Sequence, residues 1–168
     1  FQTKYDLVKY DKYQNLDSFD NLSSCDFVFI MVPTPFDCEK NQVDESAVKD
    51  SLSSLEKIGY SNIVVIKSTL PPGACKRYKE NFNLNLVFNP EFLRESTTPN
   101  EDFANQKVVV LGTENKNSFE SLKKMYSQVL DPKVKYYQTS SLEAEMIKCA
   151  QNTMLASRVV LANMIFDA

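Results

Sequence analysis

The chain has 168 residues, 43% of them hydrophobic and 24% charged, with a net charge of −3. That is the length and composition of one globular domain able to bury a single core. The acidic balance and the lack of any Lys/Arg run exclude a nucleic-acid partner, and no apolar stretch nears the roughly 18 residues of a membrane span, so the chain reads as a soluble, cytoplasmic protein with no membrane partner.

YDLVKY (5–10) reads as a short strand ending at Asp11. DFVFIMV (26–32) is a second apolar run and leads into VPTP (32–35). In DESAVKDSLSSLEKIG, Val48, Leu52, Leu55 and Ile58 share one helical face, and Gly59 suits the stop. NIVVIK (62–67) predicts a strand running into KSTLPPG (67–73), followed by a helix in GACKRYKENF (73–82). LNLVF (84–88) predicts the next strand; Asn89 and Pro90 then predict a helix start, with Glu91 and Glu95 one turn apart on a shared face. KVVVLG (107–112) and VKYYQ (134–138) bracket a helix in NSFESLKKMYSQVL (117–130). From Ser140 onward no Gly or Pro occurs, and Ser140 with Glu143 forms a capping-box signature. A helix from there to Ala168 would run about 40 Å, longer than one layer of such a domain, and its apolar positions cover more than one stripe.

The apolar runs are mostly continuous, as in strands covered on both faces, and they alternate with helices. The expected fold is α/β: a Rossmann-like, mainly parallel sheet with flanking helices, followed by a long connecting helix. Residues 1–139 form the expected dinucleotide-binding domain, and 140–168 the start of a helix that packs against another domain or subunit. An acidic residue ending the second strand of such a fold bonds the adenosine ribose, which suits Asp11. The glycine-rich turn belongs roughly 20 residues earlier, so the chain reads as cut before its first strand.

Four polar motifs fall at or near strand ends, where open α/β sheets bind ligands: VPTP, KSTLPPG, NPEFLRE and the K-x-x-x-N pair Lys148 and Asn152. Two close carboxylates raise one another's pKa, a workable base in a chain with no His. The four cysteines, Cys25, Cys38, Cys75 and Cys149, contain no CxxC pair, which argues against a metal and for free thiols.

The ordered set VPTP, VVIKSTLPPG, NPEFLRE, VVVLG and AEMIKCAQNTMLA resembles the UDP-glucose/GDP-mannose dehydrogenase family, with FLRE leaning toward the UDP-glucose branch. The resemblance runs from Asp11 into the long helix. It implies NAD as cofactor and NAD-dependent oxidation of a nucleotide sugar's C6 alcohol to the acid, through a cysteine-bound thiohemiacetal and thioester. By the same resemblance Asp11, Lys12, Val32, Pro33, Thr34, Ser68, Thr69 and Glu95 border the cofactor. Thr69 helps place the hydrolytic water, and Glu91 is the base for thioester hydrolysis. Phe92, Leu93 and Arg94, with Glu91 and Glu95, line the sugar-nucleotide pocket, while Lys148 and Asn152 hold the reacting oxygen. A homodimer through the long helix is implied as well. The chain departs from the family in lacking the glycine-rich cysteine segment and the glycine-rich turn, so it is expected to be an incomplete N-terminal portion. Its segment between Asp11 and residue 26 is short. The competing readings are a GDP-mannose or UDP-amino-sugar enzyme, a non-catalytic dimerisation or regulatory module, and a 3-hydroxyacid-type dehydrogenase.

Overall fold

The computed structural model describes residues 4–93 and 99–167. Five strands form the main sheet: β1 (Phe27–Ile30), β4 (Ile63–Ile66), β5 (Asn85–Phe88), β6 (Val108–Gly112) and β7 (Lys135–Thr139), neighbours in that order. A small antiparallel hairpin, β2 (Phe36–Asp37) with β3 (Gln42–Val43), stands apart. Neither the hairpin nor the 3₁₀ turn at Phe19–Ser24 carries a long apolar run. The helices are α1 (Ser46–Lys57), α2 (Ala74–Asn81), α3 (Pro99–Ala104), α4 (Lys116–Ser127) and α5 (Ser141–Phe166).

Strands β1, β4 and β5 run parallel, in register from Phe27–Ile63–Asn85 to Ile30–Ile66–Phe88. Their carboxyl ends therefore share one edge. Strand β6 reverses against β5 through one pair, Phe88 with Gly112, and β7 runs parallel to β6 up to Gly112 opposite Thr139. The mainly parallel sheet expected from the continuous runs is present, with one antiparallel joint.

Alternate residues of the central strands enter two cores. Val64, Ile66, Leu86 and Phe88 pack with Val48, Leu52 and Leu55 of α1 and with Ala74, Cys75 and Tyr78 of α2. Val65, Val87, Val109 and Leu111 pack with Phe119, Leu122, Met125 and Tyr126 of α4. This two-sided burial is why the strands read as unbroken apolar runs. Gly59, at φ 68°, stands just past α1 in the left-handed conformation that suits glycine.

Two expectations are overturned. Residues 5–10 are not a strand: the N–H and C=O of Lys9 are taken by the Asp17 side chain and backbone, at 2.7 and 3.0 Å. Nor do Asn89 and Pro90 open a helix, since residues 89–93 are irregular. Asn89 is 3% exposed and its amide is spent on tertiary bonds, so it has nothing left for a cap.

α5 begins as its sequence indicates, with both halves of the capping box formed by Ser140 and Glu143. Its first turns lie on the sheet. A Cβ on Gly112 would stand 2.7 Å from Ala144 Cβ and 3.1 Å from Ser141 Cα. That glycine lets α5 sit directly over β6. From Asn152 to Asp167 every residue is exposed, including Met154, Val159, Val160, Met164 and Ile165.

Candidate active site

The carboxyl edge of β1, β4 and β5 gathers three loops and one helix. Lys67 donates its backbone N–H to Ile30 O at 2.9 Å, and Asn89 donates its own to Ile66 O at 2.9 Å. Both side chains are thus fixed just beyond adjacent strand ends. The Ser68 hydroxyl donates to Val32 O at 2.7 Å and accepts from Val32 N at 2.9 Å. Thr34 Oγ1 donates to Thr69 O at 2.8 Å. The loop after β1 and the loop after β4 are therefore stitched together twice, leaving Pro33 and the Thr69 side chain exposed.

Asn89 is the hub of the edge. Its Nδ2 donates to Val110 O at 2.8 Å, and its Oδ1 accepts from Tyr126 Oη at 2.6 Å and from Lys67 Nζ at 3.3 Å. Lys67 Nζ also lies 4.0 Å from Glu91 Oε2; the Lys67 side chain is 12% exposed and that of Glu91 44%. Burial lowers the Lys67 amine to about 8, against the pull of the Glu91 carboxylate and with the push of the Lys148 ammonium. Burial pushes the Tyr126 phenol up.

α5 supplies Lys148. Its ammonium donates to Glu91 O at 2.6 Å and stands 5.9 Å from the centre of the Phe92 ring. Burial lowers the Lys148 pKa, opposed by Glu91. One turn before Lys148, the fully buried Glu145 accepts from Gly73 N at 2.5 Å and Cys75 N at 2.7 Å. Its carboxylate takes the place of a cap on α2, whose N-cap Gly73 has no side chain, and so pins α5 to the loop that carries Thr69. Cys149 Sγ adds a contact to Leu70 O at 3.6 Å.

The structure thus brings Lys148 together with Glu91 and Phe92, and Ser68 and Thr34 together with Val32 and Thr69. Asn152 is exposed one turn beyond Lys148, and Leu93 is half-buried beside Phe92 in sequence. The Asp11 carboxylate accepts from Tyr13 N at 2.8 Å and Gln14 Nε2 at 3.1 Å, holding its own turn. Lys12 pairs with Asp50 at 3.0 Å. Arg94 and Glu95, with the paired-carboxylate reading, lie outside the described residues. Lys67, Asn89 and Glu145 are polar groups at this edge to which the motifs gave no role. A lysine ending a four-residue apolar run is a signal for Lys67; Glu145 looks like any helix acid.

A hollow of about 590 Å³ is lined by Glu56, Tyr60, Asn83 and Asn115 at the opposite edge of the parallel strands. It holds no converging charge pair. In open α/β sheets ligands bind at the carboxyl edge, where the lysines and Glu91 meet. Among the described residues no His/Cys/Asp/Glu group could hold a metal, and no helix is long and apolar enough to cross a membrane.

Comparison with known proteins agrees with this fold. Residues 6–130 match the UDP-glucose/GDP-mannose dehydrogenase family, NAD binding domain. The chain is 35% identical over 177 residues to a UDP-glucose 6-dehydrogenase of Rickettsia typhi, covering 95% of this chain and 40% of that protein. With the Rickettsia felis UDP-glucose 6-dehydrogenase it shares 33% over 162 residues, 93% of this chain and 36% of the other. A UDP-glucose dehydrogenase structure from Pyrobaculum islandicum superposes with a TM-score of 0.74 at 28% identity, over 88% of this chain and 36% of that one. A GDP-mannose dehydrogenase structure from Pseudomonas aeruginosa gives 0.73 at 26% identity, over 86% and 36%. The chain therefore spans 36 to 40% of the length of these two Rickettsia relatives. With its Rossmann-like sheet, the polar cluster at the sheet's carboxyl edge and a match over residues 6–130, the chain belongs to the UDP-glucose/GDP-mannose dehydrogenase family and carries its NAD binding domain.

Proposed function

We propose that this chain is the NAD-binding part, with one wall of the active site, of a nucleotide-sugar 6-dehydrogenase that converts UDP-glucose to UDP-glucuronate. The observation that carries the reading is the meeting of Lys148, Lys67 and Glu91 where the parallel strands end. A substrate oxygen placed there meets ammonium donors set in advance by the fold, the arrangement that stabilises developing negative charge. Lys148 holds that oxygen, with Asn152 one turn away on the same helix. Glu91 is the base, with Thr69 helping to place the water it activates. Phe92 and Leu93, with Arg94 and Glu95, form the sugar-nucleotide wall.

NAD, when bound, supplies the hydride acceptor. The donor set fits its reactive end: Val32, Pro33 and Thr34 form a rigid rim, and Ser68 clamps that rim to the strand carrying Lys67. Asp11 and Lys12 suit the adenosine end once the Asp11 carboxylate leaves its own turn. In this reading residues 1–139 form the cofactor domain, and 140–168 hold Lys148 at the sheet edge and lead on to a dimer partner or further domain. The working form is a cytoplasmic homodimer.

The test uses the purified protein that contains this chain, with NADH formation followed on UDP-glucose, GDP-mannose and UDP-N-acetylmannosamine. UDP-glucose is expected to lead by roughly tenfold or more in kcat/KM. Preference for either rival sugar would move the protein to that branch. No turnover on any of the three, from a folded protein that binds NAD, would favour a non-catalytic module.

A further inference from the structure

We propose that Lys67 is a positioning residue for Glu91, holding the carboxylate at the strand edge through charge while Asn89 holds the lysine. The inference rests on the functional reading above and adds a residue to it. The backbone of Lys67 is fixed to Ile30 and its ammonium lies between Asn89 Oδ1 at 3.3 Å and Glu91 Oε2 at 4.0 Å. The charged and titratable groups facing it are Glu91, Lys148 and, through Asn89, Tyr126.

Structural need does not account for a cation here. A mostly buried lysine gives up hydration, and replacing such a group by an apolar side chain of similar volume is often neutral or stabilising. Asn89 would keep Tyr126 and Val110 as partners without it. What the ammonium does add is a fixed positive charge beside a half-exposed acid whose carboxylate makes no other ion pair among the described residues. Lys148 adds charge nearby, but its hydrogen bond goes to the backbone carbonyl of Glu91 rather than to the carboxylate. The two lysines therefore divide the residue between them: one fixes the main chain, the other the acid.

The experiment uses the complete enzyme with Lys67→Met, Lys67→Arg and Glu91→Gln, and the Lys67→Met/Glu91→Gln pair. Lys67→Met is expected to melt at or above the wild-type temperature while kcat falls about 100-fold, the scale of a misplaced group. In the Glu91→Gln background the same change should cost less than about threefold, because the group it acts through is gone. Lys67→Arg, which keeps the charge, should recover most of the activity. Competitive acetylation of lysines across pH, read by peptide mass spectrometry, gives a measure independent of turnover. The half-point of Lys67 should fall in Glu91→Gln, since the carboxylate favours the charged amine. Full activity in Lys67→Met, losses that multiply in the double variant, an unfolded Lys67→Met, or an unmoved half-point would each overturn the proposal. An inactive wild type with the half-point shifted would instead overturn the dehydrogenase reading and leave the Lys67–Glu91 pairing standing.

Discussion

Lys67 and Glu91 make separate, measurable demands on pH and on chemistry. The folded Lys67 amine is lowered to about 8 from 10.5, so the folded state binds fewer protons between those values than the unfolded chain. Stability from this group therefore rises with pH across that window; below it, the burial penalty is on the order of 3 kcal/mol. Lys67→Met removes the penalty, so its stability advantage over wild type is expected to shrink from pH 7 to pH 10. Urea unfolding at both pH values measures this, and an advantage that grows with pH would contradict it. Glu91→Gln in the complete enzyme should slow turnover by about 10²- to 10⁴-fold, the range of a lost general base. A covalent substrate adduct should then build up on the enzyme, and an unchanged intact mass after mixing with UDP-glucose and NAD would count against this role. Little at this scale was legible in the sequence. Lys148 was placed by its motif, but Lys67 is simply the last letter of an apolar run, and Asn89 looks like a cap because Asn-Pro usually is one.

Elements were more legible than residues, for a physical reason. Burial on both faces writes strands β1, β4, β5 and β6 as apolar runs, and a single buried face writes α1 and α4 at helical spacing. Residues 5–10 have strand-like composition, yet Asp17 takes the Lys9 backbone, and local propensity yields to that bond. How elements sit on one another was not readable. The seat of α5 depends on Gly112 and Glu145, neither of which stands out in the sequence. Glu145→Ala leaves Gly73 N and Cys75 N without acceptors and should cost about 1–3 kcal/mol or more. Calorimetry should show the lower melting temperature, and Lys148-dependent activity should fall with it; a variant as stable as wild type would show that α2 needs no such cap. Gly112→Ala drives a methyl to within 2.7 Å of Ala144, so α5 must lift away from β6. Overpacking of this kind costs about 1–3 kcal/mol, and an unaltered melting temperature would mean that the helix gives way freely.

For the whole molecule, alkali is the condition to fear. Burial raises the Cys75 thiol above its ordinary 9.0 and the phenols of Tyr60, Tyr78 and Tyr126 above 10.0. A raised folded value gives stability that is complete below the ordinary one and is lost as pH rises through it. Stability should therefore decline above about pH 10, where the phenols join the thiol and outweigh the gain from Lys67, which is nearly complete by then. Guanidinium midpoints at about pH 10 and about pH 11.5 would show it, and a flat profile between them would mean these side chains reach solvent. Asn89 and its neighbour bear on a slower hazard. Asparagine ages when the backbone nitrogen of the next residue attacks its side-chain carbonyl and closes a ring. Pro90 has no N–H with which to close it. The amide that joins Lys67, Tyr126 and Val110 is thus shielded by its own neighbour from conversion to aspartate, an error that would put a negative charge at the centre of the edge.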